Sequence, residues 1–124
     1  MPDCYCGSTI SIENCCLPFI ENLRVPATAE QLMRSRYVAY VLKNADYLIE
    51  TTHIQTRNFH HKKDILEWAN STYWLKLEII NFSNTSVEFK AYYLNNQLFT
   101  NVHHEKSNFL FQDGKWFYVD GQIF

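Results

Sequence analysis

The sequence has no cysteine after position 16, and glycine and proline occur only three times each. So few chain breakers leave no room for a long flexible linker or a low-complexity tract. With 124 residues the chain is long enough for one domain with a sizeable core and too short for two ordinary ones. No apolar run approaches the roughly 20 residues of a membrane-spanning helix. The first apolar stretch, Cys15 to Ile20, is interrupted by Pro18 and follows no basic region, so it does not read as a secretory signal. The formal charge of −2 carries no nucleic-acid signal and no general attraction to anionic membranes. A Gly-rich phosphate loop, a Ser-centred elbow, a His-Glu-x-x-His helix and internal repeats are all missing from the sequence. The expectation is a soluble, cytoplasmic protein.

What is present is apolar and aromatic. Hydrophobic residues make up 47% and aromatics 16%, against 19% charged, a composition that favours a packed core with extensive sheet. The four cysteines fall at Cys4, Cys6, Cys15 and Cys16, a C-x-C-x8-C-C pattern. In a reducing compartment structural disulfides are disfavoured, and clustered cysteines point to metal instead. Four thiolates suit tetrahedral zinc, with bonds of about 2.3 Å. The Gly7-Ser8 turn can aim backbone N–H groups at the Cys4 and Cys6 sulfurs, and a helix start at Cys15-Cys16 would let neighbouring residues bind one ion. The competing readings are four free thiols on a frayed terminus, or disulfides. This segment resembles the SEC-C motif, named for the C-terminal zinc segment of the SecA translocation motor. That motif usually carries lysines in its middle, which imply acidic partners or the ribosome. Here Thr9-Ile10-Ser11-Ile12-Glu13-Asn14 has no lysine, so the metal inference carries over and the partner inference does not.

Beyond an irregular stretch from Leu17 to Pro26, Thr28-Ala29-Glu30-Gln31 forms a capping box that predicts a helix to about Leu42 with a broad apolar face. Asn44 reads as its stop, and short helices are expected over Ala45 to Thr52 and Asp64 to Ala69. The period then changes to two. Leu75, Leu77 and Ile79 share one strand face, as do Val87, Phe89, Ala91 and Tyr93 on the next strand. A third run places Glu105, Ser107, Phe109 and Phe111 together. Asn84-Thr85-Ser86, Asn95-Asn96 and Asp113-Gly114 mark the turns, and Lys115 to Val119 the returning strand. The result is an α+β domain with helices on one face of a curved antiparallel sheet.

Several phrases in this body resemble the YchJ-like family of bacterial proteins: Pro26-Ala27-Thr28-Ala29-Glu30, Leu32-Met33-Arg34-Ser35-Arg36-Tyr37, Asp46-Tyr47-Leu48, His104-Glu105-x-Ser107-x-Phe109 and Gly114-x-Trp116-x-Tyr118-Val119-Asp120-Gly121. The resemblance implies a nuclear transport factor 2-like cone of helices and bent sheet around a cavity, and it brings no reaction with it. The chain departs from the family at Thr52-His53-Ile54, where Trp and Pro often flank the central His. The expected organisation is a SEC-C zinc segment over 1–24 and a nuclear transport factor 2-like domain over 25–124.

Glu105 is the leading candidate in the cavity, because period-two alternation turns it inward with Ser107. A buried carboxylate needs a partner, and Arg34 and Arg36 on the long helix are the expected ones. They would form either a structural pair or part of a ligand site. Tyr37, Tyr40, Tyr47, Trp74 and Trp116 are further lining candidates. His53 is expected at the C-terminus of the second helix, as a cap or a general base. His60-His61 reads as a solvated basic loop, and strand geometry sends His103 and His104 to opposite faces. Two functions follow. One is a non-catalytic binding or adaptor module with structural zinc, whose cavity holds a small ligand or a protein partner, with dimerisation open. The other is a small-molecule enzyme of isomerase or dehydratase type using Glu105, His53 and Tyr37, by analogy with related cone folds.

Overall fold

The computed structural model describes residues 2–124. A short 3-10 turn, Ile12–Asn14, leads into α1 (Leu17–Ile20). Then follow α2 (Ala29–Val41), α3 (Ala45–Glu50), α4 (Ile54–Arg57) and α5 (Lys62–Asn70). Four strands complete the chain: β1 (Tyr73–Phe82), β2 (Ser86–Leu94), β3 (Thr100–Gln112) and β4 (Lys115–Ile123). They form one antiparallel sheet in the order β1-β2-β3-β4. Consecutive strands pair through short turns, so the expected α+β meander is what the chain builds. Among the described residues no helix is long and apolar enough to cross a membrane.

The capping box forms with one difference. The Thr28 hydroxyl accepts from the Gln31 N–H at 3.1 Å, while the Gln31 side chain reaches one residue further back, to the Ala27 N–H at 2.8 Å. Asn44 does not stop α2. The helix ends through Lys43 in the left-handed region (φ 61°), and the Asn44 side chain instead caps α3 by accepting from Tyr47 N–H. The helix α4 was not expected. It is one turn long and is capped by the His53 ring, which accepts from Gln55 N–H. The β3–β4 turn needs positive φ at both central residues, and Asp113 (φ 54°) and Gly114 (φ 79°) supply it.

The core lies between α2 and the inner face of the sheet. Leu32, Val38, Leu48 and Val87 are at most 1% exposed, and each contributes on the order of 1.5–3 kcal/mol by burial. Cys4, Cys6 and Cys16 belong to the same contiguous core.

Two of the three register breaks in the sheet bear on the cavity. Between Trp74 and Lys76 the β1–β2 pairing slips, so Trp74 pairs with Tyr93 while Leu77 still pairs with Ala91. The extra residue reverses the alternation: Trp74 takes the inner position expected for Leu75, and Leu75 is left 46% exposed. A second slip in β3–β4 pairs Asn108 with Asp120 but Phe109 with Tyr118. Beyond it, the Tyr118 ring packs edge-on against Phe109, while Phe111, expected inside, is exposed. The chain from Thr51 to His53 bonds to β4 at Tyr118 through two backbone hydrogen bonds of 2.8 Å, fixing that tyrosine in place.

Candidate metal centre and interior cavity

The cysteine segment closes on itself before it meets the body. Cys4 N–H bonds to Ile10 O at 2.9 Å and Ile12 N–H to Pro2 O at 3.2 Å, bringing the two halves of the segment alongside each other. Gly7 turns the chain at φ 92°, a conformation side chains resist. Cys16 is the N-cap of α1, so Cys15 and Cys16 sit where the backbone bends. The four sulfurs all lie within 4.8 Å of one another. The Cys6–Cys15 and Cys15–Cys16 separations are 3.7 and 3.9 Å, close to the edge of about 3.8 Å of a tetrahedron with metal–thiolate bonds of about 2.3 Å. Four soft donors at that spacing fit a metal ion.

The surroundings suit negative sulfur. Cys6 and Cys16 N–H groups donate to the Cys4 sulfur, Ser8 N–H to that of Cys6, and the Ser8 hydroxyl lies 3.1 Å from Cys15 Sγ. With protons rather than metal on the sulfurs, Cys6 carries the thiolate. A hydrogen bond from the Cys16 thiol, against the effect of burial, pulls its pKa to about 4. Burial raises Cys4 to about 11, and Cys16 is raised by donating to Cys6. Arg34 joins the segment to α2: Nη1 donates to Cys6 O at 2.7 Å and Nε pairs with Glu30 at 2.9 Å.

The inner site is a partly open cavity of about 180 Å³ between α2, α5 and the sheet. Glu105 lies on its wall, 8% exposed. The expected arginine partners are not the ones it has. Its Oε1 accepts from His103 Nε2 at 2.8 Å, and its Oε2 from Ser107 Oγ at 2.6 Å and Tyr118 OH at 3.0 Å. Burial pushes the carboxyl pKa up, yet the hydrogen bonds from His103, Ser107 and Tyr118 outweigh it and hold the pKa below the ordinary value. Gly121 makes the room, since a methyl group there would overlap the Glu105 carboxylate.

Arg34 is committed to Glu30 and the cysteine segment. Arg36, only 6% exposed, directs Nη1 to Leu48 O, Thr51 Oγ1 and Thr52 Oγ1, and its guanidinium lies 4.5 Å over the Tyr118 ring. It stays in the cavity wall without pairing with Glu105. Tyr37, Tyr40 and Trp74 also line the cavity; Tyr47 and Trp116 do not. Tyr47 bonds to Ser35, and the Trp116 indole donates to Ala27 O. His53 lies outside the cavity too, with its ring between Gln55 N–H and Gln112. It caps the start of α4 rather than the end of α3. The cavity histidines are His60 and His103. The first was expected in a solvated loop, but it is half-buried, with burial lowering its pKa. The second was readable: His103 sits two residues before Glu105 on the same strand face.

A cone of helices on a four-stranded sheet, with a cysteine-rich segment built into its core, defines a nuclear transport factor 2-like domain carrying a SEC-C motif. Residues 28–121 match the YchJ middle NTF2-like domain. The UPF0225 proteins of Actinobacillus succinogenes and Photorhabdus laumondii are each 41% identical to this chain. The matches cover 97% and 95% of this chain and 81% and 79% of those proteins. A SEC-C motif-containing protein from Rhodopseudomonas palustris has a solution structure that superposes with a TM-score of 0.90 at 33% identity, over 98% of both chains. One from Psychrobacter arcticus superposes at 0.81 with 26% identity, over all of this chain and 84% of that one. The chain belongs to the YchJ-like, UPF0225 family.

Proposed function

We propose that this protein is a zinc-stabilised, non-catalytic binding module of the cytoplasm. Cys4, Cys6, Cys15 and Cys16 hold one structural zinc, and the cavity of the body holds a small ligand or a segment of a protein partner. The observation that carries the zinc reading is the sulfur spacing, which matches a tetrahedron of thiolates with a divalent ion at its centre. Zinc is the d10 ion that such a closed thiolate set suits, and a reducing cytoplasm keeps those thiols available. Binding it displaces protons from the raised thiols, so affinity rises with pH.

Support for the non-catalytic reading comes from Glu105, whose two oxygens are already occupied by three protein donors. The test combines metal analysis with a ligand screen. Protein purified without added metal should carry one zinc per chain. A chelator should loosen residues 2–20 while the sheet stays folded, because metal binding and folding of the segment are linked. Zinc far below one per chain in freshly purified protein would overturn the reading.

A second reading rests on His103. Its Nε2 bond to Glu105 within the cavity is the arrangement that orients a general base, so an isomerase or dehydratase would use His103 where the sequence suggested His53. It is tested by any ligand found in the screen: turnover that His103→Gln stops without changing affinity favours the enzyme, and no turnover favours the binding module.

A further inference from the structure

Arg36 and Trp74, both in the cavity wall, carry N–H groups that have no protein acceptor among the described residues. Arg36 is 94% buried by its 6% exposure, yet among the described residues it has no carboxylate within ion-pair distance. Its hydrogen bonds all leave from Nη1, to one carbonyl and two threonine hydroxyls, and Tyr118 covers one face of the guanidinium. Among the described residues the Nε–Nη2 edge makes no hydrogen bond to protein. Trp74 Nε1 is the side-chain polar atom that is both sealed and unpartnered among the described residues, so the arginine edge keeps some exposure, and Arg36 is part of the cavity wall. A largely buried guanidinium edge with no protein acceptor, and a sealed indole N–H with none, both have fewer hydrogen bonds than in water, which is costly. Glu105 does not relieve them, as its oxygens serve His103, Ser107 and Tyr118.

The geometry points to a ligand: the cavity recognises a small organic carboxylate with a flat or short apolar body. This rests on the small-ligand form of the binding-module reading and names its chemistry. The Nε–Nη2 edge presents two parallel N–H donors, the fork that matches the two oxygens of one carboxylate. Trp74, whose side chain lines the same cavity, reports on its occupancy. Trp68, Tyr40, Trp74 and Phe89 give the body of the ligand aromatic walls, with Trp68 and Trp74 edge to face at 5.1 Å. The volume of about 180 Å³ sets the scale. A cavity of about 150 Å³ accepts benzene, so the ligand is one ring or a short chain plus the carboxylate. Phosphate is disfavoured, since the wall offers one guanidinium edge and no helix N-terminus or Gly-rich loop among its residues.

The experiment titrates the metal-loaded 124-residue chain with benzoate, hexanoate, benzamide and inorganic phosphate. The Trp74 indole N–H is followed by NMR, assigned by its loss in Trp74→Phe, and affinity is measured by calorimetry. Benzoate should move the Trp74 indole resonance and bind at least tenfold tighter than neutral benzamide. Arg36→Lys keeps the charge but loses the fork, and should weaken benzoate at least tenfold. Should that variant fold poorly, Ala91→Leu fills the cavity from the β2 wall, leaves Arg36 in place and should abolish binding. Equal affinity for benzoate and benzamide would overturn the carboxylate assignment while leaving a small-ligand cavity standing. Tighter binding of phosphate than of benzoate, or benzoate affinity unchanged in Ala91→Leu, would overturn it as well. Silence from all four probes would sink both the assignment and the small-ligand reading, leaving a protein partner.

Discussion

The substitution Gly121→Ala probes the inner site through a single methyl group. Gly121 pairs with Ser107 across β3 and β4, and a β-carbon built there would overlap Oε2, Cδ and Cγ of Glu105. The carboxylate cannot yield freely, because Ser107 and Tyr118 hold Oε2 and His103 holds Oε1. Either Glu105 turns away from its donors or the end of β4 lifts off the sheet. Surrendering two charge-assisted hydrogen bonds, at about 1.5 kcal/mol each, costs about 3 kcal/mol. Urea unfolding of the zinc-loaded protein measures the loss directly, and a double-mutant cycle assigns it. In a Glu105→Ala background the three atoms nearest to the methyl group are gone, so Gly121→Ala should cost less than about 0.5 kcal/mol and the coupling should exceed about 2 kcal/mol. A single mutant within about 0.5 kcal/mol of wild type, or strict additivity in the cycle, would refute the reasoning.

Two further outcomes follow from the same contacts. The Glu105 pKa is lower in the folded state than in the unfolded chain, so its contribution is complete above the ordinary carboxylate value of about 4.3. It is lost as pH falls through the lower folded value. Wild type should therefore lose stability over that acidic window relative to Glu105→Gln, and parallel urea midpoints between pH 5 and 3 would contradict this. Arg34→Ala removes the 2.7 Å bond to Cys6 O and the Glu30 pair. It should cost about 1 kcal/mol and weaken metal retention about 10-fold or more, read by competition with a chromophoric chelator; unchanged retention would show that Arg34 does not support the metal segment.

The strands and the cysteine pattern were legible because each is written in local spacing. Period-two runs, the Asp113-Gly114 turn and the Thr28 cap need only their neighbours to be read. The cavity was harder, because its makers act across the fold. The slip between Trp74 and Lys76 reverses the face of β1, and nothing in Tyr73-Trp74-Leu75 announces it. The partners of Arg36 come from the end of α3 and the loop after it, so its helical position alone does not say whether it reaches Leu48 or Glu105. His53 was misplaced because the one-turn α4 is too short to have a period. His103 was within reach of the strand alternation that placed Glu105, and extending that run one step back would have found it.

The most direct test of the metal centre is X-ray absorption at the zinc edge on protein purified without added metal. Four sulfur neighbours at about 2.3 Å, in a sample holding one zinc per chain, is the expected result. Stoichiometric zinc with nitrogen or oxygen in its first coordination shell, or cysteines that all react with a thiol reagent while no metal is bound, would contradict it.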